Sequence, residues 1–170
     1  SAGDAPILFY KLVATSGSNT STTLYDASTN AATLSGLTNG TAYSLTVTAI
    51  SSLGAGSSLS PVSLTPRTIS SAPRSPTATA GTKKVTLIWK LPKSNGGSTI
   101  TGYWIYEGTS AGHESATPMN ANLVTSLTYS ASSLKKRTKY YFVIRAVNAA
   151  GNSPASVEVS ATRRMASRNS

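Results

Sequence analysis

The feature that most constrains this chain is an internal repeat with a fixed offset of 97 positions. The segment 37–49 closely resembles the segment 134–146, and the same offset aligns Gly54 with Gly151. A period near 100 residues with strand-like content is typical of tandem β-domains and is too long for a solenoid repeat. We therefore expect two related domains rather than one.

Both copies of the repeat alternate between apolar and polar side chains. In the second copy the apolar set is Tyr140, Phe142, Ile144 and Ala146, and in the first it is Tyr43, Leu45, Val47 and Ala49. Period-two alternation indicates half-buried strands. Further strands are predicted at Ile7–Thr15, Val62–Thr65, Val85–Leu91, Ile100–Glu107 and Val157–Thr162. Since turn signals separate these segments and no helical pattern is found, the sequence predicts an all-β chain.

The composition excludes several classes of function. Without cysteine there are no disulfides, thiolate metal sites or cysteine nucleophiles, and no apolar run approaches the ~18 residues of a membrane span. Glu107 and Glu114 could be read as a glycosidase pair and His113 as a metal ligand. A small loop offers no cleft, however, and His113 is the only histidine. We predict no catalytic residue, no cofactor and no metal site.

The second copy resembles a fibronectin type III domain over about residues 72–164. The resemblance rests on Pro76, Val85–Trp89, Gly97–Tyr103, Leu134-x-x-x-Thr138-x-Tyr140 and Ala146–Gly151. Leu134 to Tyr140 resembles the tyrosine corner, in which a tyrosine hydroxyl hydrogen-bonds back to the preceding turn. The segment 36–43 resembles repeats of large secreted bacterial proteins. The resemblance implies two tandem immunoglobulin-like (fibronectin type III) β-sandwiches of such a protein.

The first copy departs from this pattern. About 30 residues, Trp89 among them, precede Tyr103 in strand C of the second copy, whereas nine precede the equivalent Tyr10. Strands A and B of the first domain are therefore missing from this sequence. Each apolar side chain left uncovered would cost about 1.5–3 kcal/mol. We expect completion by segments outside the sequence, either another part of the same protein or another subunit. The alternative is a truncated, partly disordered first domain.

These observations give predicted domain boundaries. Residues 1–69 form a partial domain with strands C to G, residues 70–164 a complete domain, and residues 165–170 a basic C-terminal tail. The Pro- and Ser-rich segment 66–76 is interpreted as a short extended linker.

Positive charge is concentrated in the second copy. Residues 1–69 carry no net charge, so the formal charge of +10 belongs to residues 70–170. In the resembled fold much of it falls at one end of the sandwich, which we call the basic pole. Its residues are Lys83, Lys84, Lys135, Lys136, Arg137, Arg163 and Arg164, with Arg168 beyond. We expect the basic pole either to bind an acidic polymer or an acidic protein patch, or to serve solubility alone.

A second group lies on the outer side of the predicted sheet. If Tyr103 and Ile105 point into the core, their neighbours on strands C and F point outward. This set, the aromatic face, comprises Trp104, Tyr106, Tyr141 and Arg145. Aromatic residues and arginine are enriched in protein interfaces. The alternative is cross-strand pairing that only stiffens the sheet.

The predicted function is a non-enzymatic adhesion, spacer or assembly module at the C-terminal end of a larger extracellular or cell-surface bacterial protein. Expected partners are other protein subunits, the missing part of its own chain, or an acidic polysaccharide or cell-wall polymer. Nucleic acid fits poorly, because the basic pole has no stacking aromatics and no groove-reading helix. The alternatives are an accessory module of a secreted polysaccharide-degrading enzyme and a decoration or fibre component of a virion or surface filament.

Overall fold

The computed structural model describes residues 5–164, and every regular element in that range is a β-strand. The chain divides into two compact units, with the boundary after Pro66. Within the described range no helix is long and apolar enough to cross a membrane. The prediction of an all-β chain is confirmed.

The first unit is one antiparallel sheet of five strands. They are β1 (Ile7–Ser16), β2 (Asn19–Asp26), β3 (Tyr43–Ser51), β4 (Gly54–Ala55) and β5 (Val62–Leu64). β1 lies between β2 and β3, while β3 also pairs with β4 and β5. The β1–β2 hairpin turns at Gly17, whose φ of 57° is a left-handed conformation that glycine adopts without strain.

The second unit contains seven strands in two antiparallel sheets. They are β6 (Arg74–Ala80), β7 (Val85–Lys90), β8 (Gly102–Gly108), β9 (Thr128–Ala131), β10 (Lys139–Asn148), β11 (Gly151–Asn152) and β12 (Val159–Thr162). One sheet has the order β6-β7-β9; in the other, β10 pairs with β8, β11 and β12. This is the two-sheet sandwich that the sequence predicts.

The core of the second unit lies between its two sheets. The inward residues of β7, β8 and β10 are almost inaccessible to solvent: Val85, Leu87, Trp89, Tyr103, Ile105, Phe142, Ile144 and Ala146. Trp89 and Tyr103 meet edge to face, with ring centroids 5.2 Å apart. Burying these side chains supplies the main driving force for folding.

The tyrosine corner is confirmed and occurs in both units. The Lys135 amide donates a hydrogen bond of 3.0 Å to the Tyr140 hydroxyl oxygen. In the first unit the Thr38 amide donates to the Tyr43 hydroxyl oxygen, also at 3.0 Å. In each case the bond ties the preceding turn to the start of the long central strand.

The two units share the register of their central strands. In the second, Tyr103 on β8 lies opposite Ala146 on β10; in the first, Tyr10 on β1 lies opposite Ala49 on β3. Tyr10 is therefore the structural equivalent of Tyr103, as predicted. The two alignments also make β1 the counterpart of β8 and β3 the counterpart of β10.

A second sheet is absent from the described residues 5–66 of the first unit. The repeat offset aligns segment 31–34 with β9, but this segment is not a strand. In the second unit β9 pairs with β7. Because residues 5–66 contain no counterpart of β7, segment 31–34 has no strand to pair with. Within this range the first unit lacks strands A and B.

The linker prediction for residues 66–76 is wrong. Ser70 is 1% exposed. The Thr68 amide donates a hydrogen bond to the Gly96 carbonyl, and the Asn148 side-chain amide donates one to the Thr68 carbonyl. β6 already begins at Arg74. Pro76 fits within β6 because an edge strand tolerates proline. Residues 67–69 thus group with the second unit.

The corner bond gives a stability prediction. Tyr140→Phe should keep the ring packed in the core but lose one hydrogen bond, which lowers the free energy of unfolding by about 1 kcal/mol. Thermal melting of the second unit should fall by about 4–8 °C. Tyr141→Phe, on the opposite face of β10, is the matched control and should melt close to wild type. Equal melting temperatures for both variants would contradict the role of the corner.

Candidate functional site

The aromatic face is built by the alternation of β8 and β10. Trp104 lies opposite Arg145 across the two strands, Tyr106 lies opposite Val143, and Tyr141 lies opposite Gly108. Their neighbours along each strand fill the core, so these side chains must point away from it. The side chains of this outer surface are half-buried: Trp104, Tyr106, Tyr141, Val143 and Arg145.

Cationic side chains cover two of the tyrosine rings. The Arg145 guanidinium carbon lies 5.9 Å from the centroid of Tyr106, and the Lys139 ammonium nitrogen lies 5.0 Å from that of Tyr141. Cation–π contacts of this kind contribute about 0.5–1 kcal/mol at exposed sites. Arg145 is held further by donating from Nη1 to the Ser153 carbonyl at 3.0 Å. Part of the face is thus preorganised.

A cleft of about 410 Å³ adjoins Tyr106 and Arg145. Its other walls are Val143, Asn152 and the segment 114–116. That segment is positioned by the loop after β8, where the Ser115 amide donates to the Glu107 carbonyl at 2.7 Å. The cleft therefore surrounds an aromatic ring with a guanidinium, an amide, a hydroxyl and a carboxyl group.

Sequence reasoning missed these polar walls, and its expectation that the small loop offers no cleft is wrong. Glu114 and Ser115 reach the cleft only because the loop folds back along β8, and no local pattern signals that path. Asn120 helps to fix the loop: its side chain accepts from the Ile105 amide and donates to the Tyr103 carbonyl. Its isolated position in the sequence gave no indication of this role.

The carboxyl groups beside the cleft differ in their affinity for protons. Burial raises the pKa of Glu107 and is the largest cause of the raised pKa of Glu114, which a hydrogen bond with Glu158 raises further. The pKa of Glu158 is lowered, chiefly because the Gly112 amide donates to its Oε2 at 2.6 Å. As the pH falls, Glu114 is therefore protonated before Glu158.

The structure brings the residues of the basic pole together. Thr82, in the β6–β7 turn, bridges to Arg164, and the Arg137 amide donates to the Arg163 carbonyl at 3.2 Å. The exposed members are Lys83, Lys84, Lys135, Lys136, Arg137 and Arg164. The predicted tail at residues 165–170, with Arg168, lies outside the described residues.

Arg163 differs from the rest of the basic pole. Its Nη1 donates to the Leu134 carbonyl at 2.5 Å, and its Nε is buried without a hydrogen-bond partner. The side chain therefore ties the end of β12 to the turn before β10, and Arg163 is half-buried where the other described members of the pole are exposed. The strand alternation alone could not separate Arg163 from its exposed neighbour Arg164.

Comparisons with known proteins agree with this architecture. The family model described as "Fibronectin type III domain" matches residues 71–162. Chitinase A1 of Niallia circulans is 38% identical over 130 residues, which cover 71% of this chain and 17% of the chitinase. A Kelch domain-containing protein of Saccharolobus solfataricus is 31% identical over 121 residues, covering 71% of this chain and 16% of that protein. The chain thus spans about a sixth of the length of these curated relatives.

Solved structures show the same fold. A crystal structure of titin domains superposes with a TM-score of 0.62 at 19% identity, covering 96% of this chain and 56% of that one. The FN1–FN3 domains of chicken CNTN1 give 0.54 at 16% identity, covering 92% and 55%. Since the matched family model takes in more than half of the residues, with every strand of the sandwich, the chain belongs to the fibronectin type III family.

Proposed function

We propose that this chain is a non-enzymatic module of a larger extracellular bacterial protein and acts by surface contact through its aromatic face. The observation that carries the proposal is the set of half-buried aromatic rings, two of them under cations, on the outer surface of β8 and β10. Tryptophan, tyrosine and arginine are the residues most enriched among those that dominate binding energy.

Comparison with the first unit supports a role of the aromatic face in binding rather than in folding. In the first unit, the positions equivalent to the outward residues 104, 106, 141, 143 and 145 are occupied by Lys11 and Val13 of β1 and by Ser44, Thr46 and Thr48 of β3. The same sheet therefore forms with no aromatic residue at these five positions, although Phe9 lies further along the outer side of β1. Because the fold does not need the rings, a contact made by the second unit accounts for them better. We also propose that the first unit is a second copy of the family, in tandem.

A second candidate is an accessory module of a secreted polysaccharide-degrading enzyme. Two observations favour it: the similarity to Chitinase A1, and the polar groups that surround Tyr106 in the cleft. A sugar can stack on an aromatic ring while its hydroxyl groups bond to neighbouring polar side chains. Arg145, Asn152 and Glu114 offer both donors and acceptors for such bonds.

The basic pole would add contacts with an acidic polymer or an acidic protein patch. Two of its residues, Lys83 and Arg137, adopt left-handed backbone conformations with φ of 66° and 56°. Glycine or asparagine would adopt these turns at lower cost. The presence of basic side chains at these strained positions supports a function for their charge, because backbone strain tends to persist at functional sites.

Truncating the aromatic face tests the leading proposal. Trp104→Ala should weaken association about 30-fold, since interface anchors of this type contribute 2 kcal/mol or more. Native sizing over a concentration series measures protein association. Binding to chitin beads measures the polysaccharide binding that the second candidate requires. Ile88→Ala is the control, because Ile88 is 52% exposed and lies on the other sheet. A Trp104→Ala protein that associates like wild type would contradict the leading proposal, and a Tyr106→Ala protein that binds chitin like wild type would contradict the second candidate.

Charge reversal tests the basic pole separately. Lys135→Glu with Lys136→Glu should weaken retention on a dextran sulfate column far more than Lys90→Glu, which reverses an exposed charge outside the pole. Binding of the unmodified chain should also fall by about 100-fold between roughly 50 and 200 mM salt, because bound counterions are released. Retention insensitive to both salt and charge reversal would rule the pole out as a binding site.

A further inference from the structure

The inner face of the first unit is poorly covered for a sandwich core. Four inward residues of β3 are only half-buried, whereas their counterparts on β10 are 0–7% exposed. The pairs, first unit first, are Tyr43 and Tyr140, Leu45 and Phe142, Val47 and Ile144, Ala49 and Ala146. The second unit covers its counterparts with the opposing sheet of β6, β7 and β9.

Leu12 and Ala14 of β1 are buried on this face, and two open grooves mark the parts of it that are uncovered. One of about 290 Å³ is lined by Tyr10, Leu12, Tyr25, Val47 and the segment 29–32. A second, of about 530 Å³, shares Leu12 and extends along the face towards the end of the unit.

The position of the first groove indicates what fills it. Tyr10 is the equivalent of Tyr103, and in the second unit the ring that meets Tyr103 is the indole of Trp89 on β7. The first groove therefore lies where a tryptophan from a β7-like strand would pack. No residue of the first unit can supply it, because the two tryptophans of this chain are Trp89 and Trp104.

A backbone edge accompanies the groove. Segment 31–34 aligns with β9, and β9 in the second unit pairs with β7 through four residue pairs. In the first unit the Thr33 carbonyl accepts from the Tyr25 hydroxyl at 2.8 Å, and the segment forms no ladder. Its backbone groups form no ladder and are therefore open to pairing with an added strand.

We propose that this face binds an antiparallel β-hairpin with the residue pattern of β6–β7, with its tryptophan seated against Tyr10. The same chain covers the equivalent face of its second unit in this way. A second copy is a poor occupant, because its own Trp89 is 1% exposed and already packed in its core. The inference concerns the first unit and is independent of the aromatic face.

Fusion of such a hairpin to the chain tests the proposal. A copy of residues 67–93 placed ahead of Ser1 preserves the spacing of the second unit, because the alignment of Tyr10 with Tyr103 makes Ser1 the counterpart of Ser94. Hydrogen exchange followed by mass spectrometry reports on residues 43–51. We expect exchange there to slow at least about tenfold relative to the unfused chain, since the core of the first unit becomes covered.

Two variants of the copied segment serve as matched controls. Trp89→Ala in the copy should abolish the added protection, whereas Ile88→Ala in the copy should retain it, because Ile88 points to solvent in the second unit. Unchanged exchange in the fused chain would overturn the proposal. So would protection of residues 43–51 in the unfused chain that rises with protein concentration, because a second copy would then be the occupant.

Discussion

The in-register pairing of β8 with β10 is the constraint on which the second unit depends. It places Ile105 against Ile144 in the core and Tyr106 against Val143 on the surface. A slip of one residue would move every one of these side chains to the opposite face. The core and the aromatic face are therefore two results of one register, and neither can change without the other.

The first unit pairs β1 with β3 in the same register, but both faces of its sheet differ from those of the second unit. Its outer face lacks the aromatic rings of β8 and β10, and its inner face lacks an opposing sheet in the described residues. Leaving apolar side chains uncovered costs about 1.5–3 kcal/mol for each one fully exposed, which is large beside the stability of a small domain. The half-buried state of Leu45 and Val47 is therefore the basis for proposing a further element, and the groove beside Tyr10 lies where that element would pack.

The sequence predicted the parts of the fold in which side chains alternate strongly. Tyr140 to Ala146 and Val85 to Trp89 combine apolar and polar residues with period two, and both the strands and the corner bond of Tyr140 follow the prediction. β2 was not predicted, because its Ser- and Thr-rich sequence buries little and is stabilised by pairing with β1. The segment 66–76 was misread because an edge strand with proline has the composition of a linker.

The surface was less predictable than the core. Alternation identified Trp104 and Arg145 as outward residues, and turn positions identified the exposed lysines of the basic pole. The polar walls of the cleft could not be predicted, since Glu114 and Asn152 come from separate loops that meet only after folding. For the same reason the engagement of Arg163 with the Leu134 carbonyl had no sequence signal.

The central claim is that the aromatic face serves contact and is dispensable for the fold. Exchanging the outer residues of the second unit for their first-unit equivalents tests it in one protein. The variant carries Trp104→Lys, Tyr106→Val, Tyr141→Ser, Val143→Thr and Arg145→Thr. Thermal melting and native sizing on the same sample should show a cooperative transition within a few degrees of wild type and a loss of association. A variant that fails to fold, or that folds and associates as before, would contradict the account.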